Sequence, residues 1–136
     1  MDEMRVDIVA DTDAPLRSST KLRLRWLRLD PLAVSLTVVR EPAHPALVQG
    51  EWMMLRDFLR YGIEAPTGDG DVRVRPGDDT NMVIDLTGPV GRCSVSVPSG
   101  VVREFLDATE REVPAGEERS DDAIDDLIEQ LLGREP

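Results

Sequence analysis

Asp30-Pro31-Leu32-Ala33-Val34-Ser35-Leu36-Thr37-Val38-Val39 is the stretch that decides the fold class. Val34, Leu36 and Val38 alternate with Ser35 and Thr37, which gives one apolar and one polar face at the two-residue period of a strand. β-Branched residues are frequent in it, and they suit a pleated, half-buried surface better than a helix. Pro31 keeps Asp30 out of the helical region and marks the turn that opens the strand.

Similar segments lie on both sides. Lys21-Leu22-Arg23-Leu24-Arg25-Trp26 alternates cation with apolar residue, and Val72-Arg73-Val74 and Val95-Ser96-Val97 alternate in the same way. Asn81-Met82-Val83-Ile84-Asp85-Leu86 runs to the breaker pair Gly88-Pro89. These patterns predict about seven strands, near 4–10, 20–28, 32–40, 46–53, 71–75, 81–87 and 91–97. Most connections between them are short, which favours antiparallel meanders over strand–helix–strand crossovers.

Three helices are expected. Leu55 to Tyr61 makes about two turns and stops at Gly62, a residue suited to a left-handed C-terminal cap. Pro98 opens a longer helix that runs to Glu112 with Val101, Val102, Phe105 and Leu106 on one stripe. The third spans about 120–132: Ser120 can cap it, Asp121 and Asp122 suit its positive end, and Gly133 can close it. Ile124, Leu127, Ile128, Leu131 and Leu132 form its apolar stripe, with Asp122, Asp126 and Glu129 on the other side. That acidic face is either a recruitment surface for a partner or a solvated face that keeps the protein in solution. The expected class is α+β, a largely antiparallel sheet of about seven strands with three helices, in a single domain over 1–136.

Composition narrows the chemistry. Hydrophobic residues make up 40% of the chain but aromatics only 4%, so the core must be aliphatic. No apolar run approaches the roughly 20 residues that span a bilayer, and Met1-Asp2-Glu3-Met4-Arg5 lacks the basic-then-apolar layout of a secretion signal. A single cysteine, Cys93, excludes an intrachain disulfide and agrees with a cytoplasmic setting. The net charge of −11 is concentrated after residue 103, where 12 acids face 3 bases. Nucleic-acid binding calls for a basic stripe. The one stripe here, Lys21, Arg23 and Arg25, reads as a solvated strand face or a charged edge against aggregation.

Groups able to do catalysis are few. His44 is the only histidine and sits in the proline-bounded loop Glu41-Pro42-Ala43-His44-Pro45, so any site needing two imidazoles is excluded. Cys93 reads as a packed thiol on a strand. Gly68-Asp69-Gly70 lacks the third glycine and following helix of a dinucleotide loop. Asp69, Asp71, Asp78 and Asp79 lack the ligand spacing of a calcium loop. They read as turn residues bonding their own backbone. Neither a cofactor nor a metal is expected.

Several markers together resemble the SsgA-like family of sporulation and cell division proteins. They are the strand entry Asp30-Pro31-Leu32-Ala33-Val34; Trp52 followed by Arg56-Asp57-Phe58-Leu59 and Gly62; and the string Pro66-Thr67-Gly68-Asp69-Gly70-Asp71-Val72-Arg73-Val74 with Pro76. Phe105-Leu106, Thr109 and Val113-Pro114 with Gly116-Glu117 continue the likeness. Leu32 stands where the family carries an aromatic residue. The resemblance implies a Whirly-like fold, a homotrimer and no enzymatic activity. It implies a cytoplasmic protein at the cell septum that recruits or positions the tubulin-like division protein FtsZ, alone or with other SsgA-like or septal proteins. The competing expectation is a single-stranded nucleic-acid-binding module, for which only Trp26 offers a stacking ring in the basic strand. Trp52 and Phe58 are expected to be structural anchors, Trp52 at a strand–helix junction with Phe58 packed beneath it.

Overall fold

A computed structural model of the chain describes residues 2–13, 18–39, 50–89 and 91–117. In chain order the elements are β1 (Glu3–Thr12), β2 (Ser18–Leu27), β3 (Asp30–Val39), β4 (Glu51–Leu55), α1 (Arg56–Tyr61), β5 (Thr67–Asp69), β6 (Val72–Pro76), β7 (Asn81–Gly88), β8 (Gly91–Pro98) and α2 (Ser99–Glu112). All eight strands belong to one antiparallel sheet in the order β4-β3-β2-β1-β8-β7-β6-β5. Each half is a meander of neighbours in sequence. Among the described residues, strand pairing between the halves is confined to Asp11 and Thr12 of β1 with Ser96 and Val95 of β8.

Alternation sets the core. Leu22, Leu24 and Trp26 of β2, Val34, Leu36 and Val38 of β3, and Met82, Ile84 and Leu86 of β7 all point inward and are buried. Cys93, Val95 and Val97 of β8 complete the same layer. α2 closes it from one side by burying Val102, Phe105, Leu106 and Thr109, the i, i+3, i+4, i+7 stripe of an amphipathic helix. Each fully buried aliphatic side chain contributes roughly 1.5–3 kcal/mol before ordering costs.

Among the described residues the strand count changes. The sheet has eight strands rather than seven, and the extra one is β5. It is too short and glycine-rich to show a period, and it forms only because it pairs with β6, Thr67 opposite Val74 and Asp69 opposite Val72. Gly70 begins the two-residue turn between them with φ +77°, a left-handed value that a glycine adopts at little cost. Among the described residues there are two helices; the third, expected at about 120–132, lies outside them. The strand expected at 46–53 is described from Glu51 and runs to Leu55.

Gly62 also has a different purpose. Its φ of −63° is right-handed, so α1 ends without the left-handed cap. A Cβ here would lie 2.0 Å from Val74 Cγ2, so glycine is needed for α1 to approach β6. The requirement is steric, not conformational.

Candidate functional site

No group of three or more His, Cys, Asp or Glu residues that could hold a metal ion occurs among the described residues. His44 lies outside them. Asp78 is occupied by its own turn: its Oδ1 accepts from the backbone N–H groups of Thr80 and Asn81, each at 3.0 Å. The Thr80 N–H, followed by the Asn81 amide, holds its carboxyl below the usual range. Cys93 is buried, and burial, with the charges of Asp13 and Asp85 adding to it, pushes its thiol up. A protonated, enclosed thiol is a poor nucleophile.

Two of the three cations of the basic stripe, Arg23 and Arg25, are ion-paired within the sheet. Antiparallel pairing of β1 with β2 sets Asp7 opposite Arg23 and Glu3 opposite Leu27, beside Arg25. Arg23 donates from Nε to Asp7 Oδ1 at 2.8 Å and from Nη2 to Oδ2 at 3.2 Å. The bond from Arg23, against a small opposing effect of burial, holds the Asp7 carboxyl below its ordinary range. Arg25 donates from Nε to Glu3 Oε1. Trp26 points to the opposite face, is fully buried, and donates its indole N–H to the Pro31 carbonyl oxygen at 3.1 Å. Cations and ring therefore do not share a surface on which a base could stack.

Asp122, Asp126 and Glu129 lie outside the described residues, so their face is not placed. Trp52 is buried at the end of β4 nearest β7, with its indole N–H donating to the Thr87 carbonyl oxygen at 2.9 Å. Phe58 does not pack beneath it: it is 38% exposed, and Leu59 takes the buried position. Arg56 takes the other, over the Trp26 ring and donating to Thr109 Oγ1 at 3.4 Å. Arg60 ties α1 to α2 through Asp107 and Glu110, at 2.8 Å to each. Held in this way, α1 turns Arg56 and Leu59 inward.

What the sequence reading missed is an exposed apolar strip. Met53 (57% exposed) and Leu55 (44%) stand on the outer side of β4, and Phe58 follows on α1. They line one side of a groove of about 370 Å³, with Asp71 and Val72 of the β5–β6 hairpin facing them. Met53 and Leu55 alternate with the buried Trp52 and Met54, so the strand is apolar on both faces. That two-sided pattern was the available signal.

The family model described as "Streptomyces sporulation and cell division protein, SsgA" matches residues 20–118. The chain is 29% identical over 132 residues to the sporulation-specific cell division protein SsgB of Streptomyces coelicolor, covering 95% of this chain and 90% of that one. It is 34% identical over 119 residues to a sporulation-specific cell division protein of Frankia casuarinae, covering 85% and 77%. SsgB of Kineococcus radiotolerans is 36% identical over 87 residues, a match spanning 53% of that relative. An SsgA-like sporulation-specific cell division protein from Thermobifida fusca superposes with a TM-score of 0.77 at 27% identity, over 96% of each chain.

Proposed function

The chain belongs to the SsgA family of sporulation and cell division proteins, and from that premise we propose that it is a non-enzymatic adaptor of sporulation-specific cell division. In this reading it recruits or positions the tubulin-like protein FtsZ at septum sites in the cytoplasm, and does so as a homotrimer of Whirly-like subunits. The observation that carries the reading is the match over residues 20–118, joined to relatives named for sporulation-specific cell division along most of the chain. The site chemistry is consistent with it: the described surface offers ion-paired strands and an apolar strip, which are means of contacting a protein.

Co-sedimentation with assembled FtsZ, together with a fluorescent fusion followed through sporulation, tests the proposal. Recovery of the chain in the polymer pellet and its arrival at future septa are the expected results. Absence from both would remove the adaptor role. Light scattering tests the trimer, and a monomer at micromolar concentration would exclude it. A titration with labelled single-stranded DNA at low salt tests the rival nucleic-acid reading. The Asp7–Arg23 and Glu3–Arg25 pairs weigh against tight binding there.

A further inference from the structure

We infer that the groove between β4 and the β5–β6 hairpin is a docking site for an extended protein segment in which apolar residues alternate with Lys or Arg. β4 stands at one end of the sheet, paired with β3 on one side, and among the described residues no strand pairs with its other edge. The hairpin stands close to that side, where Met54 reaches Gly68 and Trp52 bonds the Thr87 carbonyl oxygen, so a partner segment would lie along the groove without joining the sheet as a ninth strand. Beyond Glu51, the exposed positions of β4 are the apolar Met53 and Leu55, and Phe58 continues the strip onto α1. Nothing in the internal packing requires three exposed apolar side chains in a row, and patches of this kind mark interaction surfaces.

The groove has a sign as well as a shape. Its charged lining residues are Glu51 and Asp71, one on each wall, and no Lys or Arg lines it among the described residues. A second groove of about 420 Å³ continues past Trp52 to Thr87 and Pro89, again with Glu51 and Asp71 as its charged lining. The five residues of β4 offer about 16 Å of edge. A segment seated in the groove would set its apolar residues against Met53, Leu55 and Phe58, and its cations toward the two carboxylates. The chain's own C-terminal segment suits this site poorly, because residues 118–136 carry seven acids against Arg119 and Arg134. The inference supplies the adaptor reading with a surface but does not rest on it, since it follows from the groove, the strip and the charges alone.

The full chain can be panned against a phage-displayed library of linear random peptides, and enriched peptides remade with a fluorescent label. The expected result is enrichment of peptides that alternate apolar residues with Lys or Arg. Their affinity should fall roughly tenfold in Met53→Lys or Phe58→Lys, as when a central interface contact is lost, and should weaken with added salt. The double charge reversal Glu51→Lys with Asp71→Lys, which leaves the apolar strip intact, should turn the selection toward acidic peptides. No enrichment, enriched peptides without cations, or binding indifferent to all these substitutions would overturn the inference. Two further results would overturn it by naming another occupant. A fall in particle mass on Met53→Lys would place a second copy in this groove. Peptide binding that appears only after Leu127→Lys and Leu131→Lys would place the C-terminal segment there.

Discussion

The guanidinium carbon of Arg56 lies 5.9 Å from the centroid of the Trp26 ring, and both side chains are buried. This pair connects the first turn of α1 to the core face of β2, and Thr109 of α2 receives a bond from the same guanidinium. A desolvated cation over an indole contributes about 2 kcal/mol. The aliphatic stem of the arginine adds packing that a shorter side chain would lose.

Arg56→Ala is therefore expected to lower stability by about 3–4 kcal/mol, combining the lost cation–ring contact with a cavity. Arg56→Leu should recover part of the loss, because an apolar side chain of similar reach can replace a buried charge at modest cost. Urea titrations followed by tryptophan fluorescence would measure both. Equal losses in the two variants would show that the charge, not the volume, matters here.

Gly62 and Val74 make a second testable pair. Gly62→Ala places a methyl group against Val74 Cγ2, and the right-handed φ means that the cost is steric alone. A loss of about 1–3 kcal/mol is expected, the usual range for overpacking. Val74→Ala should offset part of it, so that the double variant is more stable than the two single losses predict when added. A coupling of about 0.5 kcal/mol or more in that cycle is the outcome to look for; strict additivity would refute the contact.

Trp52 separates packing from hydrogen bonding. Trp52→Phe keeps a ring in place but removes the N–H that donates to the half-buried Thr87 carbonyl oxygen, and is expected to cost about 1 kcal/mol, the typical net worth of one hydrogen bond. Trp52→Ala should cost about 3–5 kcal/mol. Thermal or urea unfolding checks both. An unchanged midpoint in Trp52→Ala with loss of partner binding would make the residue a contact rather than an anchor.

Asp85 predicts a pH dependence. Burial acts to raise its carboxyl, but the Ser94 hydroxyl and the Arg75 guanidinium outweigh it and hold the group below its ordinary value of 3.8. The folded chain thus binds this proton less readily than the unfolded chain. The resulting stability is complete above pH 3.8 and is lost as the pH falls through the lower folded value. The pair is partly exposed, so the contribution is under about 1 kcal/mol. The urea midpoint of Asp85→Asn should lie below that of the parent at pH 7, and the gap should narrow as the pH falls below 3.8. A gap that persists at low pH would mean that the carboxylate charge is not its source.

How much of this was legible along the chain depends on the range of the interaction. Val34, Leu36 and Val38 in β3, and Met82, Ile84 and Leu86 in β7, declare their buried face by alternation, because a strand's period is written in adjacent residues. The stripe of α2 declares itself in the same way, and so did the antiparallel class, from short connections. The tertiary structure decided everything that depends on which strands meet and in what register. It gave Arg23 an acid 16 positions away, drawing a cation of the basic stripe into an ion pair across the sheet. It made a strand of Thr67–Asp69, which has no period of its own and exists by pairing with β6. It also turned Leu59 and Arg56 inward and left Phe58 outside, because α1 is held by Arg60 against Asp107 and Glu110, some fifty residues on. Local patterns report what neighbouring residues share. Pairing, close approach and an open groove depend on residues brought together only once the loops between them have closed.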